Sequence, residues 1–216
     1  MRPRICAVIT DTNPEAIKEA ASLVDLFEVR IDLIGAGWTE VAKGVKKPWI
    51  ACLRNRDEGG RWQGDDAEKV AELMKAIDMG ATIVDLELAT PNLDKIVPVI
   101  KKRTKCLISI HDTRTTPPLD DLKKVVRREL TAGADIAKVV TKAGTAADNL
   151  TMLELTAAFP GVDLISLAMG PLGILSRVLS PLAGGYLTYA SLGAGQESAP
   201  GQLTVSELHR IYGMVI

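Results

Sequence analysis

No surplus of charge of either sign runs through this sequence. Lysine and arginine total 26 against 27 aspartate and glutamate, a net charge of −1, and no long basic run occurs. That balance offers little to a nucleic-acid backbone or an anionic membrane surface. Cysteine is scarce as well: Cys6, Cys52 and Cys106 sit far apart in apolar runs, with no CxxC spacing. An odd, scattered set predicts buried thiols in a reducing compartment and no disulfide or metal cluster. The opening "MRPRICAVIT" lacks the apolar core of a secretory signal, and no run of about 18 apolar residues predicts a membrane span. A cytoplasmic, soluble protein is the expectation. Several catalytic signatures are missing too, with no GxGxxG after the first strand, no GxSxG and no HExxH.

What is present is regular. Apolar residues make up 47% and charged residues 25%, a globular balance that excludes disorder. Strand-like apolar runs occur at 4–10, 26–32, 48–54, 82–88, 106–112, 135–141, 162–168 and 186–192. Amphipathic helical stretches lie between them, among them 13–24, 66–80, 119–133 and 145–159, with a last helix at 204–216. Asp, Asn or Pro opens several of these, and Gly80, Gly133 and Gly161 stand behind three of them. The second and seventh helices are the least distinct. Strict βα alternation requires parallel strands, because each return needs a crossover helix. Eight such units over residues 1–216 predict one α/β domain, a (β/α)8 TIM barrel, with an open doubly wound sheet as the alternative. The first strand starts near residue 4, so no N-terminal hairpin is expected and side chains must cap the barrel floor.

Strands of such a barrel are apolar on both faces, so charges inside them carry information. Glu28 and Arg30 share one face of the second strand, with Phe27, Val29 and Ile31 opposite. Asp85 and Glu87 share one face of the fourth. Arg54 ends the third strand, His111 ends the fifth, and Lys138 lies in the sixth between Ala137 and Val139. A lone strand-end arginine or histidine is usually structural. Five strands contributing polar groups at one parity converge on one mouth, where barrel active sites form.

The chemistry open to this set is narrow. Carboxylates suggest Mg²⁺, but Arg30 and Lys138 would compete with a cation, so neither metal nor cofactor is expected. A lysine in an apolar strand, near Arg and His, should have its pKa lowered by desolvation and like charge. A neutral amine attacks a ketone or aldehyde to form a Schiff base, and the imine acidifies the adjacent C–H for removal by histidine. The residues therefore predict Schiff-base lyase or aldolase chemistry on a small, anionic, hydroxylated carbonyl compound. A class I aldolase acting on phosphorylated sugars, or a barrel that only binds a carboxylate, remains open at this level.

Six segments narrow it further: "FEVRIDL", "CLRNRDEGG", "ISIHD", "DIAKVV", "ISLAMGPLGILSR" and "ESAPGQLT", in this order along nearly the whole chain. Together they resemble the type I 3-dehydroquinate dehydratase family of shikimate-pathway barrel enzymes. The resemblance implies syn elimination of water from 3-dehydroquinate through an imine on Lys138. It makes His111 the base and acid, and Glu58 the group that orients it, with Asp85 in support. Arg177 would pair with the substrate carboxylate, and Glu28, Arg30 and Arg54 would hold the ring hydroxyls. Ser198 and Gln202 would belong to a loop that closes over the substrate. The family also implies a homodimer, for which the apolar last helix offers a surface. Thr113, Leu167 and Pro171 depart from the family pattern, and the loop 193–202 looks long. The polar stretch 59–66 near the mouth, "GGRWQGDD", is read as a loop more readily than as a phosphate cradle.

Overall fold

The computed structural model describes residues 2–215. Eight parallel strands run β1 (Ile5–Ile9), β2 (Leu26–Arg30), β3 (Trp49–Cys52), β4 (Ile83–Glu87), β5 (Lys105–His111), β6 (Ile136–Lys142), β7 (Leu164–Met169) and β8 (Thr188–Ser191). Their spatial order is β7-β6-β5-β4-β3-β2-β1-β8. The remaining seam is drawn together by Tyr186 N donating to Leu164 O at 2.8 Å, so the sheet is a nearly closed (β/α)8 barrel. The open-sheet alternative is excluded.

The helices are α1 (Pro14–Ala20), α2 (Ile31–Ile34), α3 (Trp38–Gly44), α4 (Asp66–Asp78), α5 (Leu93–Lys101), α6 (Leu119–Thr131), α7 (Asp148–Ala157), α8 (Ile174–Leu179) and α9 (Val205–Val215). Local chemistry explains where they differ from the sequence expectation. The second helix splits because Arg30 turns back onto Asp32 with two bonds of 2.9 and 2.8 Å, ending β2 at Arg30. Gly35, at φ 71°, then breaks the path between α2 and α3. The helix expected from 145 starts at Asp148, because the Asp148 carboxylate accepts from the Gly144 and Thr145 amides at 2.7 and 2.9 Å. At α4, Asp65 accepts from Glu68 N while Glu68 accepts from Asp65 N, a capping box that sets its first residue.

The strand faces separate as alternation requires. Phe27, Val29, Val84 and Leu86 join the layer beneath the helices, as do Ala137 and Val139 further round. Cys6, Leu26, Ile50, Ile83, Leu107, Ile136 and Ile165 fill the lower barrel interior. At the floor, the Arg4 guanidinium lies 4.4 Å over the Tyr186 ring, a cation–π contact among the capping side chains. This packed lower half leaves the C-terminal half to polar groups.

A buried acid also lies on α6, outside that mouth. Glu129 on α6 is fully buried and neither carboxylate oxygen has a hydrogen-bond partner. Burial, reinforced by Asp85 and Glu58, pushes its pKa well above 4.5. The folded chain thus keeps a proton that the unfolded chain releases above about pH 4.5. Stability falls as pH rises through that window, by up to about 1.4 kcal/mol per unit. Glu129→Gln should remove this slope, so urea denaturation should show the variant gaining on the parent between pH 5 and 8. A difference independent of pH would contradict the assignment.

Candidate active site

The upper interior holds a cavity of about 240 Å³, lined by residues at or just beyond the ends of β2, β3, β5, β6, β7 and β8 and by the loop after β8, with β4 standing behind its wall. The strand register explains the gathering. Glu87 pairs with Ser109, and Ser109 with Lys138, so three interior polar groups stand in one row on β4, β5 and β6.

Lys138 is buried and not alone. Its Nζ donates to Asp85 Oδ2 at 3.0 Å, lies 3.6 Å from Glu28 Oε2, and sits 4.4 Å over the Tyr189 ring. Desolvation opposes its charge, but Asp85 and then Glu28 more than offset it, and the pKa is raised. The expected lowering is therefore corrected: the sequence showed the apolar neighbours along β6 and not the carboxylates facing them from β4 and β2. In the free protein Lys138 is an ammonium ion.

Arg54 is the hub of the site. Its terminal nitrogens donate to Ser109 Oγ at 2.8 Å and Asp85 Oδ2 at 2.7 Å. They also lie 3.3 Å from Glu58 Oε2 and 3.3 Å from Glu87 Oε1. Asp85 thus accepts from Arg54, Lys138 and Ser109, the last at 2.6 Å, and its carboxyl is held far below the usual range despite complete burial.

His111 closes the row. Its Nδ1 lies 2.8 Å from Glu58 Oε2. Desolvation, then the positive Arg54 and Lys138, lower the imidazole pKa well below 6.5, so the ring is neutral at neutral pH. Glu58 moves the other way, up to about 7, through desolvation together with Glu87 and Asp85. When Glu58 is ionised it accepts the Nδ1 proton, which leaves the Nε2 lone pair free.

Across the cavity, Arg177 on α8 is buried with no acidic partner among the described residues. Its Nε lacks a hydrogen bond and Nη2 makes one long contact, 3.4 Å, to Pro200 O. Burial lowers its pKa to about 10, so it remains a guanidinium cation. The β8 loop lies over this side. Gln202 Oε1 accepts from Ser198 N at 2.8 Å and from Ser198 Oγ at 3.2 Å, and Gly170 N donates to Pro200 O at 2.8 Å. Gly201 allows the approach: at φ 77°, a Cβ there would meet Gly170 O at 2.2 Å. Gln196 pins the loop's other side to Asp11 at 2.8 Å.

Glu28, Cys52 and Asp85 bring metal-type donors within 4.8 Å of one another. Their charge is already matched by Lys138 and Arg54, and burial pushes the Cys52 thiol up, so it stays protonated. A divalent ion there would face an ammonium. The residues do not fit a metal.

The Type I 3-dehydroquinase family model matches residues 5–215. The chain belongs to that family. Among its relatives is a 3-dehydroquinate dehydratase of Dehalococcoides mccartyi, 41% identical over 214 residues, covering 99% of this chain and 96% of the relative. The Methanocaldococcus jannaschii 3-dehydroquinate dehydratase is 35% identical, with 96% of each chain covered. In three dimensions, the crystal structure of the Geobacillus kaustophilus 3-dehydroquinate dehydratase superposes with a TM-score of 0.85 at 26% identity, over 99% of this chain and 91% of that one.

Of the site residues that the resemblance implies, Glu28, Arg30, Arg54, Glu58, His111, Lys138, Arg177, Ser198 and Gln202 line this one cavity, and Asp85 stands behind its wall. Their freedom differs. Arg30 spends Nε and Nη2 on Asp32, and Arg54 spends both terminal nitrogens on the protein. Thr113, Leu167 and Met169 also line the cavity, while Pro171 opens a one-turn 3₁₀ segment after Gly170. His209 is exposed on α9, away from the site. In the stretch 59–66, Gly60 serves close packing, since a Cβ there would meet Arg54 O at 2.0 Å. Sequence reasoning missed Tyr189, Cys52, Ser109 and Lys69. Ser109 shares the parity of His111 in an apolar strand, and Lys69 shares the buried face of α4 with Leu73 and Ala76. Both signals were readable.

Proposed function

We propose that this cavity dehydrates 3-dehydroquinate to 3-dehydroshikimate, as a Schiff-base hydro-lyase, at the third step of the shikimate pathway. One observation carries the reading: a buried lysine amine, a neutral histidine held by a carboxylate, and an unpaired guanidinium all face one small cavity. After losing its proton, Lys138 attacks the ketone carbon. The carbinolamine loses water and becomes an iminium ion. His111 removes the adjacent proton through Nε2, giving an enamine. The enamine expels the β-hydroxyl as His111 returns the proton, so one water leaves. Hydrolysis of the conjugated iminium frees the product and restores Lys138.

The surroundings fit each step. Asp85 and Glu28, which hold the ammonium in the free protein, stabilise the iminium charge at the same place. Glu58 keeps Nδ1 of His111 protonated. Arg177 has open donors for the substrate carboxylate, a bidentate task suited to guanidinium. Glu28, the remaining nitrogen of Arg30, and Ser198 with Gln202 hold hydroxyls, while Arg54 mainly fixes the carboxylates around the reacting atoms. A phosphorylated sugar suits the cavity less well, because Arg177 stands without a second cation beside it.

Adding 3-dehydroquinate and following ultraviolet absorbance of the conjugated enone tests the reading. A steady rise is expected, and no rise would overturn it. The same reading places the chain in the cytoplasm; among the described residues no helix is long and apolar enough to cross a membrane. It also makes the chain a homodimer. Exposed Leu172 just before α8, Leu175 and Leu179 on it, and Leu182 after it offer more apolar surface than Met214 and Val215 on α9. Sedimentation equilibrium should give twice the chain mass; a monomer at micromolar concentration would refute the dimer.

A further inference from the structure

Behind the cavity wall a second buried lysine completes a chain of charges. Lys69, on the inward face of α4, is 1% exposed. Its Nζ is ion-paired with Glu87 Oε2 and donates to Asn55 Oδ1 at 3.1 Å. Glu87 Oε1 accepts from Asn55 N at 2.8 Å and lies 3.3 Å from Arg54. Arg54 in turn lies 3.3 Å from Glu58, which holds His111 at 2.8 Å. Neither Lys69 nor Glu87 lines the cavity.

We propose that Lys69 and Glu87 are positioning residues of the site: acting through Arg54 and Glu58, they set which nitrogen of His111 carries its proton. This inference rests on the dehydratase reading for its catalytic meaning. The charge balance shows why it follows. The groups facing Glu58 are Arg54 from the end of β3, Asp85 and Glu87 from β4, Lys69 from α4 and His111 from β5, with Glu129 on α6, kept protonated by burial, and Lys138, Glu28 and the Arg30–Asp32 pair further across. Lys69, Arg54 and Lys138 are matched by Glu87, Asp85 and Glu28 before Glu58 is counted. An ionised Glu58 is thus a surplus anion, and its proton is held in the balance by its neighbours. Ionised, Glu58 accepts from Nδ1 and leaves Nε2 free as a base. Protonated, it donates to Nδ1, places the imidazole proton on Nε2, and the base is lost.

Removing a distant cation and removing a distant anion should therefore act in opposite directions. Lys69→Met should move the acid limb of kcat up by about one pH unit, and Glu87→Gln should move it down by about as much. The double variant, with charges again matched, should return near the parent midpoint. Lys69→Arg keeps the charge and should stay at that midpoint as well. KM should change less than twofold to threefold in each. The chain has only two histidines, so ¹⁵N NMR can follow the His111 tautomer without substrate, with exposed His209 as internal control. Midpoints that stay fixed, or that both move in one direction, would overturn the coupling. If the NMR midpoints move oppositely but no dehydration occurs, the coupling stands and the dehydratase reading fails. The double variant, free of unmatched buried charge, guards against loss of folding in either single variant.

Discussion

Lys138→Met should lower turnover on the order of 10⁴-fold or more, about 5.4 kcal/mol or more in the barrier. The side chain is the amine through which the electron sink forms, and no other lysine lines the buried part of the cavity; Lys142 is exposed at its rim. Asp85 also holds Arg54 at 2.7 Å and Ser109 at 2.6 Å, bonds that the substitution does not remove, so the wall should hold its shape. Borohydride added with substrate should fix a stable adduct on the parent chain, seen by intact mass and mapped to Lys138, and none on the variant. An adduct mapped to Lys142, or substantial turnover by the variant, would end the assignment. The raised pKa of Lys138 adds a sign. The ammonium must lose its proton before attack, so imine formation should quicken as pH rises and slow as it falls. Asp85 and Glu28 thus disfavour the free amine and favour the iminium, and the net gain appears only once the ketone is bound.

His111→Ala should cost about 10²- to 10⁴-fold in turnover while still forming the imine, because carbonyl attack and C–H removal are separate steps. The borohydride adduct should appear on this variant in near-parent yield, at a slower rate if His111 also helps the carbinolamine lose water. Its pH profile should lose the acid limb near 7, since that limb belongs to Glu58 acting through the imidazole. Full turnover in the variant would show that another group takes the proton. Loss of the adduct would instead make His111 part of imine formation.

Much of this was legible before folding. Alternating apolar runs and amphipathic stretches determine a parallel α/β barrel, because parallel strands need crossover helices and eight of them close. Parity along β2, β4, β5 and β6 was enough to bring Glu28, Asp85, His111 and Lys138 to one mouth. Arg177, Glu58 and Gln202 lie in loops or short helices without periodicity, and only the family resemblance singled them out. Helix starts at Asp148 and the break at Gly35 were not readable, because side chain-to-backbone bonds set them and these leave no period.

The sequence by itself determined the barrel, the lysine and histidine in its mouth, and the class of chemistry they allow. The tertiary structure alone decided the protonation states. Lys138 looked destabilised as an ion among Ile136, Ala137, Val139 and Val140. It is an ion, because Asp85 and Glu28 arrive from other strands at 3.0 and 3.6 Å. A pKa depends on charges within a few ångströms in every direction, whereas a sequence lists neighbours along one.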